Sequence, residues 1–430
     1  MLHHNKLPAH PMPSHSPVLP VRTSARIAEV RYEIRGELAR RAAEFEAAGR
    51  DIVKLNIGNP GLFGFTVPDH VRAAIEANLA RSEAYCHQKG ILPARLAIVE
   101  QLHAHGVLAA HPDRVFIGNG VSELIDLALR TLLDPGDEVL LPSPDYPLWS
   151  AATTLNGGTP VYYPCPAARA HLPDADEIDA LITPRTRAIA IINPNNPTGA
   201  VYPRALLEAI VRVAERHRLT LLSDEIYDEI LYDGAQFVPL ARIAGNVPCL
   251  TFDGLSKVQR ACGYRVGWLS LTGSPVALSE IEHGLDLLAS LRLCANVPGQ
   301  WAIGPSLAGA DTISALTSGG GRLHDTRRAV IEACTRSGFL KLVAPRGALY
   351  AFPAIDRDVL PAFDDDAFAL ALLEQENVLV VPGSGFNDTS GAHFRITLLP
   401  LAAQMREVFE RIERVLARMA TPGVPARQVA

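Results

Sequence analysis

Residues 115–142 read VFIGNGVSELIDLALRTLLDPGDEVLLP and contain a short apolar run, an amphipathic stretch and a second short apolar run. The spacing predicts a strand over 115–117, a helix over 122–133 and a second strand over 138–141. The second strand is expected to end at Pro142, because proline donates no ladder hydrogen bond. Strands that alternate with helices are typical of a mostly parallel sheet covered on both faces, with ligands beyond the carboxyl ends of the strands.

The same alternation continues through the middle of the chain. Further short apolar runs are found at 160–163, 188–192, 219–222, 249–252 and 265–271. Between two of them lies the stretch 204–218, whose apolar residues recur at intervals of three and four, as in an amphipathic helix. We therefore expect a large α/β domain with a mostly parallel seven-stranded sheet between helices.

The regular alternation of strands and helices ends after Pro298. A glycine tract at 318–321 precedes a charged helix that begins near Leu323. The remaining predicted elements are strands at 349–352, 378–381 and 394–398 and a last helix over 402–419. The tract is interpreted as a linker rather than a phosphate loop, because no strand precedes it and no GK[ST] motif follows it. Together these elements predict a smaller α+β domain, joined by residues from the start of the chain.

The chain therefore divides into several predicted parts. They are a disordered or extended segment over 1–30, an N-terminal arm with part of the small domain over 31–70, the large domain over 71–315, the small C-terminal domain over 316–420 and a tail over 421–430. Residues 1–20 lack the apolar region of a secretory signal. No stretch approaches the roughly 18 apolar residues of a membrane span. We expect a cytoplasmic protein with no membrane partner.

Charge and cysteine usage limit the classes of partner. The formal net charge is −6 and the isoelectric point is about 6.2, so neither nucleic acid nor an anionic membrane is an expected partner. An anionic small substrate must then be bound by local arginine or lysine residues. The cysteines show no metal-ligand spacing, which predicts free thiols in a reducing compartment and no metal site.

Two polar motifs follow predicted buried strands. Residues 193–199 read NPNNPTG, a rigid loop that can direct an asparagine side chain beyond the strand end, although the loop alone also fits a simple turn. Asp224 and Tyr227 follow the strand predicted next along the chain, where three carboxylates stand within 224–228. In isolation, those carboxylates also fit solvated loop charges or a helix cap.

Two basic motifs complete the pattern. Lys257 follows Ser256 after a predicted strand, and Arg265 comes eight residues later, which indicates an electropositive pocket rather than a single surface lysine. Arg395 interrupts the apolar run FRITL at 394–398. A buried arginine needs an anionic partner, and a carboxylate that binds two of its nitrogens is the natural one, either from a ligand or from a structural salt bridge.

In this order and at these spacings, the four motifs resemble the class I/II aminotransferases, pyridoxal 5′-phosphate (PLP) enzymes of fold type I, from about Arg31 to the last helix. Further stretches resemble the bacterial glutamate–pyruvate aminotransferases, or alanine transaminases. They are KLNIGNP (54–60), IGNGVSEL (117–124), PDYPLW (144–149), RLCANVP (292–298) and PRGALY (345–350). The resemblance implies the fold-type I architecture, in which the large domain binds PLP.

The resemblance also implies which residues contact the PLP ring. Lys257 would bind PLP covalently and move a proton between the substrate Cα and C4′ of the cofactor. Asp224 would keep the pyridine nitrogen protonated. Tyr227 and Asn196 would hydrogen-bond the phenolic oxygen, and Tyr146 would stack on the ring face.

The phosphate group would be bound by a second set of residues. The resemblance assigns this role to the backbone amides of Val121 and Ser122 at the start of a helix, with the side chains of Ser256 and Arg265. Tyr85 would reach the phosphate of the neighbouring subunit. The resemblance thus implies a homodimer with shared active sites.

The substrate would be bound mainly through its carboxylate. Arg395 would bind the α-carboxylate, with Asn196 and the backbone of Gly58 assisting. Tyr32 and Arg35 would line the entrance and close on the substrate, unless they belong to an N-terminal helix that packs on the partner.

Three features leave the side-chain preference open. Arg292 fits contact with a distal substrate carboxylate, and equally a pair with the partner subunit. Residues 258–260 read VQR where the sequences that this chain resembles suggest Thr-Tyr-Arg, and residues 61–62 read GL where they suggest Ala-Pro.

The implied reaction moves the amino group between L-alanine and 2-oxoglutarate and gives pyruvate and L-glutamate by a ping-pong mechanism. Transamination of other amino donors, or β-elimination by a C–S lyase, would use the same cofactor residues. A third alternative is the aminotransferase-like effector domain of a transcription regulator. It is disfavoured because the chain contains no basic helix-turn-helix module.

Overall fold

The computed structural model describes residues 21–32, 34 and 36–420. Its strands are β1 (Val53–Lys54), β2 (Val115–Gly118), β3 (Glu138–Ser143), β4 (Thr159–Pro164), β5 (Thr186–Ile192), β6 (Thr220–Asp224), β7 (Cys249–Gly254), β8 (Gly267–Thr272), β9 (Leu340–Lys341), β10 (Tyr350–Ala351), β11 (Ala354–Ile355), β12 (Val378–Leu379), β13 (Val381–Pro382) and β14 (Phe394–Thr397). Its α-helices are α1 (Ala25–Glu29), α2 (Glu37–Ala47), α3 (Asp69–Asn78), α4 (Leu92–Ala104), α5 (Val121–Leu132), α6 (Leu148–Leu155), α7 (Ala175–Ala180), α8 (Arg204–His217), α9 (Pro275–Leu291), α10 (Val297–Gln300), α11 (Ile303–Ala308), α12 (Ser314–Thr317), α13 (Arg322–Arg336), α14 (Asp365–Glu376) and α15 (Ala402–Ala420).

The central sheet has seven strands in the order β2-β8-β7-β6-β5-β3-β4. The neighbours from β7 to β4 pair in parallel, and β8 runs antiparallel to both of its neighbours. The prediction of a mostly parallel seven-stranded sheet is confirmed. The strand predicted over 265–271 begins later, at Gly267, because Arg265 has a left-handed backbone with φ of 53°, which a strand does not accommodate.

Strand β3 extends past the proline that was expected to end it. Pro142 pairs with Tyr163 of β4, and the strand continues to Ser143. Pairing with β5 extends only as far as Leu140, so the missing N–H of Pro142 removes no ladder bond on that side. The proline therefore marks the end of pairing with one neighbour, not the end of the strand.

Both faces of the central sheet are buried. On β5, Ile189 and Ile191 lie in the core that is covered by α4, α7 and α8. Ala188, Ala190 and Ile192 lie in the opposite core, which is covered by α5, α6 and α9. The alternation follows from the two-residue period of a strand, and each fully buried large aliphatic side chain contributes about 1.5–3 kcal/mol. The helices leave the carboxyl edge of the sheet available for a site.

A third core packs α13, α14 and α15 against the short strands of the C-terminal part. Strand β1 pairs in parallel with β12, so a segment from the start of the chain is joined to these elements. The single strand predicted over 378–381 was wrong, because the chain changes its pairing partner at Val380. Strand β12 pairs with β1, whereas β13 pairs with β14. The predicted domain boundaries stay predictions.

The start of the described chain differs from its prediction. Residues 25–29, expected to be disordered or extended, form α1, and Arg26 Nη1 donates to the carbonyl of Leu155 at the end of α6. The predictions for 1–20 and 421–430 lie outside the described residues. Across the described ranges, no helix combines the length and the apolar character needed to cross a bilayer.

Candidate active site

A cavity of about 620 Å³ lies at the carboxyl edge of the central sheet. Ile192 ends β5 and Asp224 ends β6 at this edge, and Lys257 follows β7. Tyr350 of β10 and Arg395 of β14 line the cavity from the C-terminal elements. The position agrees with the rule that ligands bind beyond the carboxyl ends of parallel strands.

Most of the predicted site residues meet in this cavity. Those that line it are Tyr32, Gly58, Val121, Ser122, Tyr146, Asn196, Asp224, Tyr227, Ser256, Lys257, Arg265 and Arg395. Tyr85 does not line it, and 79% of this residue is exposed to solvent. Arg35 lies outside the described residues.

The amine of Lys257 is held by a single backbone acceptor. Nζ donates to the carbonyl oxygen of Gly58 at 2.8 Å. The same Nζ lies 6.0 Å from the ring centroid of Tyr227. An amine held this way can exchange a weak hydrogen bond for a covalent bond to an aldehyde without breaking an ion pair.

The carboxylate of Asp224 is buried at the end of β6. Its Oδ2 accepts a hydrogen bond from Trp149 Nε1 at 3.1 Å. Burial raises the pKa of Asp224 to about 6, although the bond from Trp149, the backbone N–H of Ile226 and the charge of Lys257 act in the opposite direction. A buried carboxyl group that lines a cavity is suited to a cationic or hydrogen-bond-donating ligand atom.

The loop at 193–199 directs Asn196 into the cavity because its other asparagines bond within the loop and its flanks. Asn195 Oδ1 accepts from Thr198 Oγ1 at 2.8 Å, and Asn193 Oδ1 accepts from the backbone N–H of Tyr202 at 2.9 Å. Asn196 Oδ1 is left to face the C-terminal elements, where it accepts from an arginine at 3.5 Å. The alternative of a simple surface turn is excluded, since these asparagines are buried.

That arginine is Arg395, which is only 1% exposed. It donates to the backbone carbonyl of Asn56 and to Asn196, and its guanidinium packs on the rings of Tyr350 and Phe386 at 4.6 and 4.8 Å. Among the described residues, its buried Nε has no hydrogen-bond partner. Burial lowers its pKa, and the groups that oppose this are tyrosines rather than carboxylates. Arg395 therefore retains donor capacity for an anionic ligand.

The turn between β2 and α5 forms the opposite end of the cavity. Gly120 has φ of 87°, and a Cβ atom there would lie 2.3 Å from Nη2 of Arg265. Val121 and Ser122 begin α5 and line the cavity, so their amides lie at the positive end of a helix dipole. This close approach leaves a cradle of backbone amides beside a cation, the arrangement that suits a phosphate.

Arg265 is exposed, and the acceptors of its guanidinium at this end of the cavity are backbone carbonyls. Its Nη1 donates to the carbonyl of Cys262 at 2.9 Å and its Nη2 to the carbonyl of Asn119 at 3.4 Å. Asn119 is fixed in turn, because its N–H donates to Glu123 and its side-chain oxygen accepts from Asn296. Within the described part of the chain, this cation therefore lies over the start of α5 with backbone acceptors and no paired carboxylate.

Arg292 does not line the cavity. Its Nη1 pairs with Glu123 at 2.7 Å and its Nη2 donates to the carbonyl of Ile117 at 2.6 Å. These bonds engage two nitrogens of Arg292 within its own chain, and both alternatives, contact with a distal substrate carboxylate and a pair with the partner subunit, stay predictions. Residues 61–62 and 258–260, where the sequence differs from the motifs that the resemblance suggests, do not line the cavity either.

Tyr32 and Tyr146 meet above the cavity. Their hydroxyl oxygens lie 3.3 Å apart. The segment of Tyr146 is tied to the C-terminal elements, because the N–H of Asp145 donates to the carbonyl of Phe386 and Asn387 Nδ2 donates to Asp145 Oδ1 at 2.7 Å. The position of Tyr32 agrees with the predicted entrance.

Sequence reasoning missed two side chains that contact the predicted ones. Trp149 bonds to Asp224, and Tyr350 bonds to Tyr227 with 3.0 Å between the hydroxyl oxygens. Both lie inside motifs that carried the resemblance, PDYPLW and PRGALY. A polar aromatic residue at the end of each motif was the available signal.

These residues fit PLP by their own chemistry. A buried carboxyl group at Asp224 suits the pyridine nitrogen, the amine of Lys257 suits the aldehyde, and the amide cradle beside Arg265 suits the phosphate. Arg395 remains for the carboxylate of a substrate.

The comparisons with known proteins agree with this geometry. The chain is 46% identical over 394 residues to a Mycobacterium tuberculosis protein named alanine aminotransferase, covering 91% of this chain and 92% of that one. It is 44% identical over 398 residues to the Escherichia coli protein named glutamate-pyruvate aminotransferase AlaA, covering 93% and 98%.

Solved structures give the same result. The crystal structure of an Escherichia coli aminotransferase superposes with a TM-score of 0.91 at 44% identity, covering 93% of this chain and 99% of that one. The structure of alanine aminotransferase from Pyrococcus furiosus superposes with a TM-score of 0.88 at 35% identity, covering 92% and 100%. Residues 50–412 match the family described as aminotransferase class I and II. The chain therefore belongs to the class I and II aminotransferases, which are PLP-dependent enzymes of fold type I.

Proposed function

We propose that this enzyme moves the amino group between L-alanine and 2-oxoglutarate, giving pyruvate and L-glutamate by a ping-pong mechanism. The observation that carries the proposal is a buried Arg395 with an unpartnered Nε in the same cavity as Lys257. A desolvated guanidinium favours a carboxylate ligand, and the amine marks where an amino acid would react. Alanine is chosen because the relatives at 44–46% identity carry names that specify alanine or the glutamate–pyruvate pair.

The groups proposed to act on the reacting atoms surround Lys257. Bound PLP supplies an electron sink for the substrate Cα. Lys257 would then carry the proton between Cα and C4′, since its amine lies in the cavity and is held there by a hydrogen bond to the Gly58 carbonyl. Asp224 would hold a proton on the pyridine nitrogen, and Tyr227 and Asn196 would donate to the phenolic oxygen. Tyr146 would cover the ring face.

The phosphate would be held by backbone and side chain together. The amides of Val121 and Ser122 supply donors at the start of α5, a helix of 12 residues. Ser256 and Arg265 would add a hydroxyl and a cation. Because Arg265 is exposed, binding of the phosphate there would remove little water from its guanidinium.

The substrate carboxylate would bind at the other end. Arg395 would form a two-point contact, with Asn196 and the Gly58 backbone beside it. Tyr32 lines the entrance there, and we assign Arg35, from the same segment, to closure on the substrate.

We further propose a homodimer whose sites are shared, located in the cytoplasm. Tyr85 is exposed and outside its own cavity, as a residue that reaches the phosphate of a neighbouring subunit would be. Leu287, Leu291 and Leu293, on α9 and just beyond it, are 54%, 73% and 53% exposed, and such apolar exposure favours a second copy as partner. The cysteines are free thiols, in agreement with a reducing compartment.

The test is pyruvate formation from L-alanine by PLP-loaded protein, with and without 2-oxoglutarate. We expect pyruvate only when the acceptor is present, and its loss in Lys257→Ala. Lys341→Ala is the matched control, since Lys341 is exposed and pairs with Asp356 at the surface. It should retain full activity.

Two results would reject the proposal in different ways. An active, PLP-bound protein that accepts other amino donors but not L-alanine would leave the family intact and exclude this substrate. Ammonia and pyruvate released from a thioether amino acid, with no 2-oxo acid present, would identify β-elimination instead.

A further inference from the structure

Tyr350 lies where the predicted catalytic and substrate-binding groups meet. It is 2% exposed, on β10, and it pairs with Thr397 of β14, two residues from Arg395. It lines the same cavity as Lys257. Its position on a rigid strand means that packing fixes its side chain.

The hydroxyl group of Tyr350 contacts both Tyr227 and the support of Lys257. The two tyrosine oxygens lie 3.0 Å apart, and the rings meet edge to face at 5.7 Å. A Cβ atom at Gly58 would lie 2.2 Å from the Tyr350 oxygen, so this hydroxyl lies directly against the residue whose carbonyl holds Lys257. The charged amine of Lys257 also lies near enough to the Tyr350 hydroxyl to lower its pKa.

The ring of Tyr350 has a separate contact. The guanidinium carbon of Arg395 lies 4.6 Å from its ring centroid, while Phe386 covers the same guanidinium at 4.8 Å. A planar guanidinium that is held by aromatic rings keeps a fixed orientation. The ring therefore restrains Arg395 independently of the hydroxyl group.

Either tyrosine hydroxyl can donate to the other across the 3.0 Å between their oxygens. When an acceptor beside Tyr227 takes the single proton of Tyr227, only Tyr350 can donate in the bond between them. Burial raises the pKa of Tyr350, but the charges of Lys257 and Arg395 and the bond with Tyr227 outweigh it and lower that pKa, whereas burial raises the pKa of Tyr227. Tyr146 is a further titratable group that interacts with this hydroxyl.

We infer that Tyr350 is a positioning residue with two separable roles, an inference that rests on the proposed function. Its hydroxyl donates to the oxygen of Tyr227, which leaves the one proton of Tyr227 directed at the phenolic oxygen of bound PLP. Its ring holds the guanidinium of Arg395 in the plane that a substrate carboxylate requires.

The hydroxyl role is tested with Tyr350→Phe, which keeps the ring. We expect the pH midpoint of the visible absorbance of bound PLP to shift upward by about half a unit or more. Without Tyr350, Tyr227 donates a weaker hydrogen bond to the phenolic oxygen of PLP, and the cofactor therefore holds its proton more tightly. We expect kcat to fall about tenfold, the scale of one lost hydrogen bond, with KM for L-alanine within about twofold. Tyr232→Phe is the matched control, since Tyr232 is buried, donates to the carbonyl of Ala348 at 3.0 Å and does not line the cavity.

The ring role is tested with Tyr350→Leu, with its melting temperature compared with that of Tyr350→Phe. We expect KM for L-alanine to rise about tenfold beyond its value in Tyr350→Phe, the scale of a desolvated cation–π contact. Equal effects of Tyr350→Phe and Tyr232→Phe on the absorbance midpoint and on kcat would overturn the hydroxyl role. Equal KM values in the two Tyr350 variants would overturn the ring role. The absorbance titration needs no substrate, so it tests Tyr350 even if wild-type protein fails to use L-alanine.

Discussion

The two ends of the cavity are built in different ways. At the phosphate end, Arg265 is exposed and bonds to the backbone carbonyls of Cys262 and Asn119. At the carboxylate end, Arg395 is 1% exposed, and it bonds to Asn56 and Asn196 and packs on two aromatic rings. Both ends join distant parts of the chain, but the first is open to water and the second is buried.

This difference has an energetic consequence. Water solvates the exposed arginine when no phosphate is bound, so its charge costs little. The buried one is only 1% exposed and pairs with no carboxylate among the described residues, and a buried charge without an anionic partner costs several kcal/mol. A carboxylate that binds there removes that cost. Substitutions at the carboxylate end are therefore expected to have larger effects on catalysis than substitutions at the phosphate end have on cofactor affinity.

The largest effect is expected for Arg395→Met, which keeps the side-chain volume and removes the charge. We expect kcat/KM for L-alanine to fall about 1000-fold, the scale of about 4 kcal/mol for a buried pair that loses one partner. Steady-state kinetics at saturating PLP measures this. The affinity for PLP should stay within about threefold.

The same variant also tests how Arg395 affects the stability of the protein without PLP or substrate. Removal of a buried charge is stabilising, whereas the Asn56 carbonyl and Asn196 Oδ1 each lose a donor. Because the two effects oppose each other, the free energy of unfolding of Arg395→Met should stay within about 1 kcal/mol of the wild type. A large loss of stability would mean that Arg395 is a structural residue, and the contrast between the two ends would be lost.

A smaller effect is expected at the phosphate end for Gly120→Ala. The new Cβ would lie 2.3 Å from the guanidinium of Arg265, so the arginine must move away from the amide cradle. We expect the dissociation constant for PLP to rise about tenfold, the scale of one weakened charge-assisted bond. Equilibrium titration of PLP by absorbance measures it.

Gly136→Ala is the control for a positive φ without a steric contact. Gly136 has φ of 92°, close to the 87° of Gly120, but a Cβ atom there meets nothing within 4 Å. Gly136→Ala should lose about 1 kcal/mol of stability, and Gly120→Ala more, because the ψ of 164° at Gly120 lies in a region that is essentially restricted to glycine. Only Gly120→Ala should weaken PLP binding, and equal affinities in the two variants would show that the approach of Arg265 is unimportant.

How much could be predicted from the sequence differs between the phosphate end and the carboxylate end of the cavity. At the phosphate end, the strand β2 and the helix that follows it were predicted from residues 115–142, whereas the phosphate-binding role of this turn and of Arg265 was implied by the resemblance. The positions of the buried strands along the chain were also predicted, because the two-residue and 3.6-residue periods are local. The prediction at Pro142 was wrong because a proline removes a ladder hydrogen bond only where a neighbouring strand is still paired. Pairing with β5 ends at Leu140, and local sequence does not show this.

The carboxylate end could not be assembled from local patterns. Arg395 was recognised as an arginine in an apolar strand, but its rings and its unpartnered Nε depend on which strands become neighbours. Tyr350 and Tyr227 are separated by 123 residues, and Trp149 and Asp224 by 75. Periodicity indicates which residues share a face of one element, not which element ends meet.

The central claim is that Lys257 is the residue that binds PLP covalently, between these two ends. The most direct test is borohydride reduction of PLP-loaded protein, followed by digestion and mass spectrometry. The account predicts a phosphopyridoxyl group on Lys257 and no modification of the Lys257→Ala variant treated in the same way. Modification of another lysine in the wild type, with Lys257 unmodified, would contradict it.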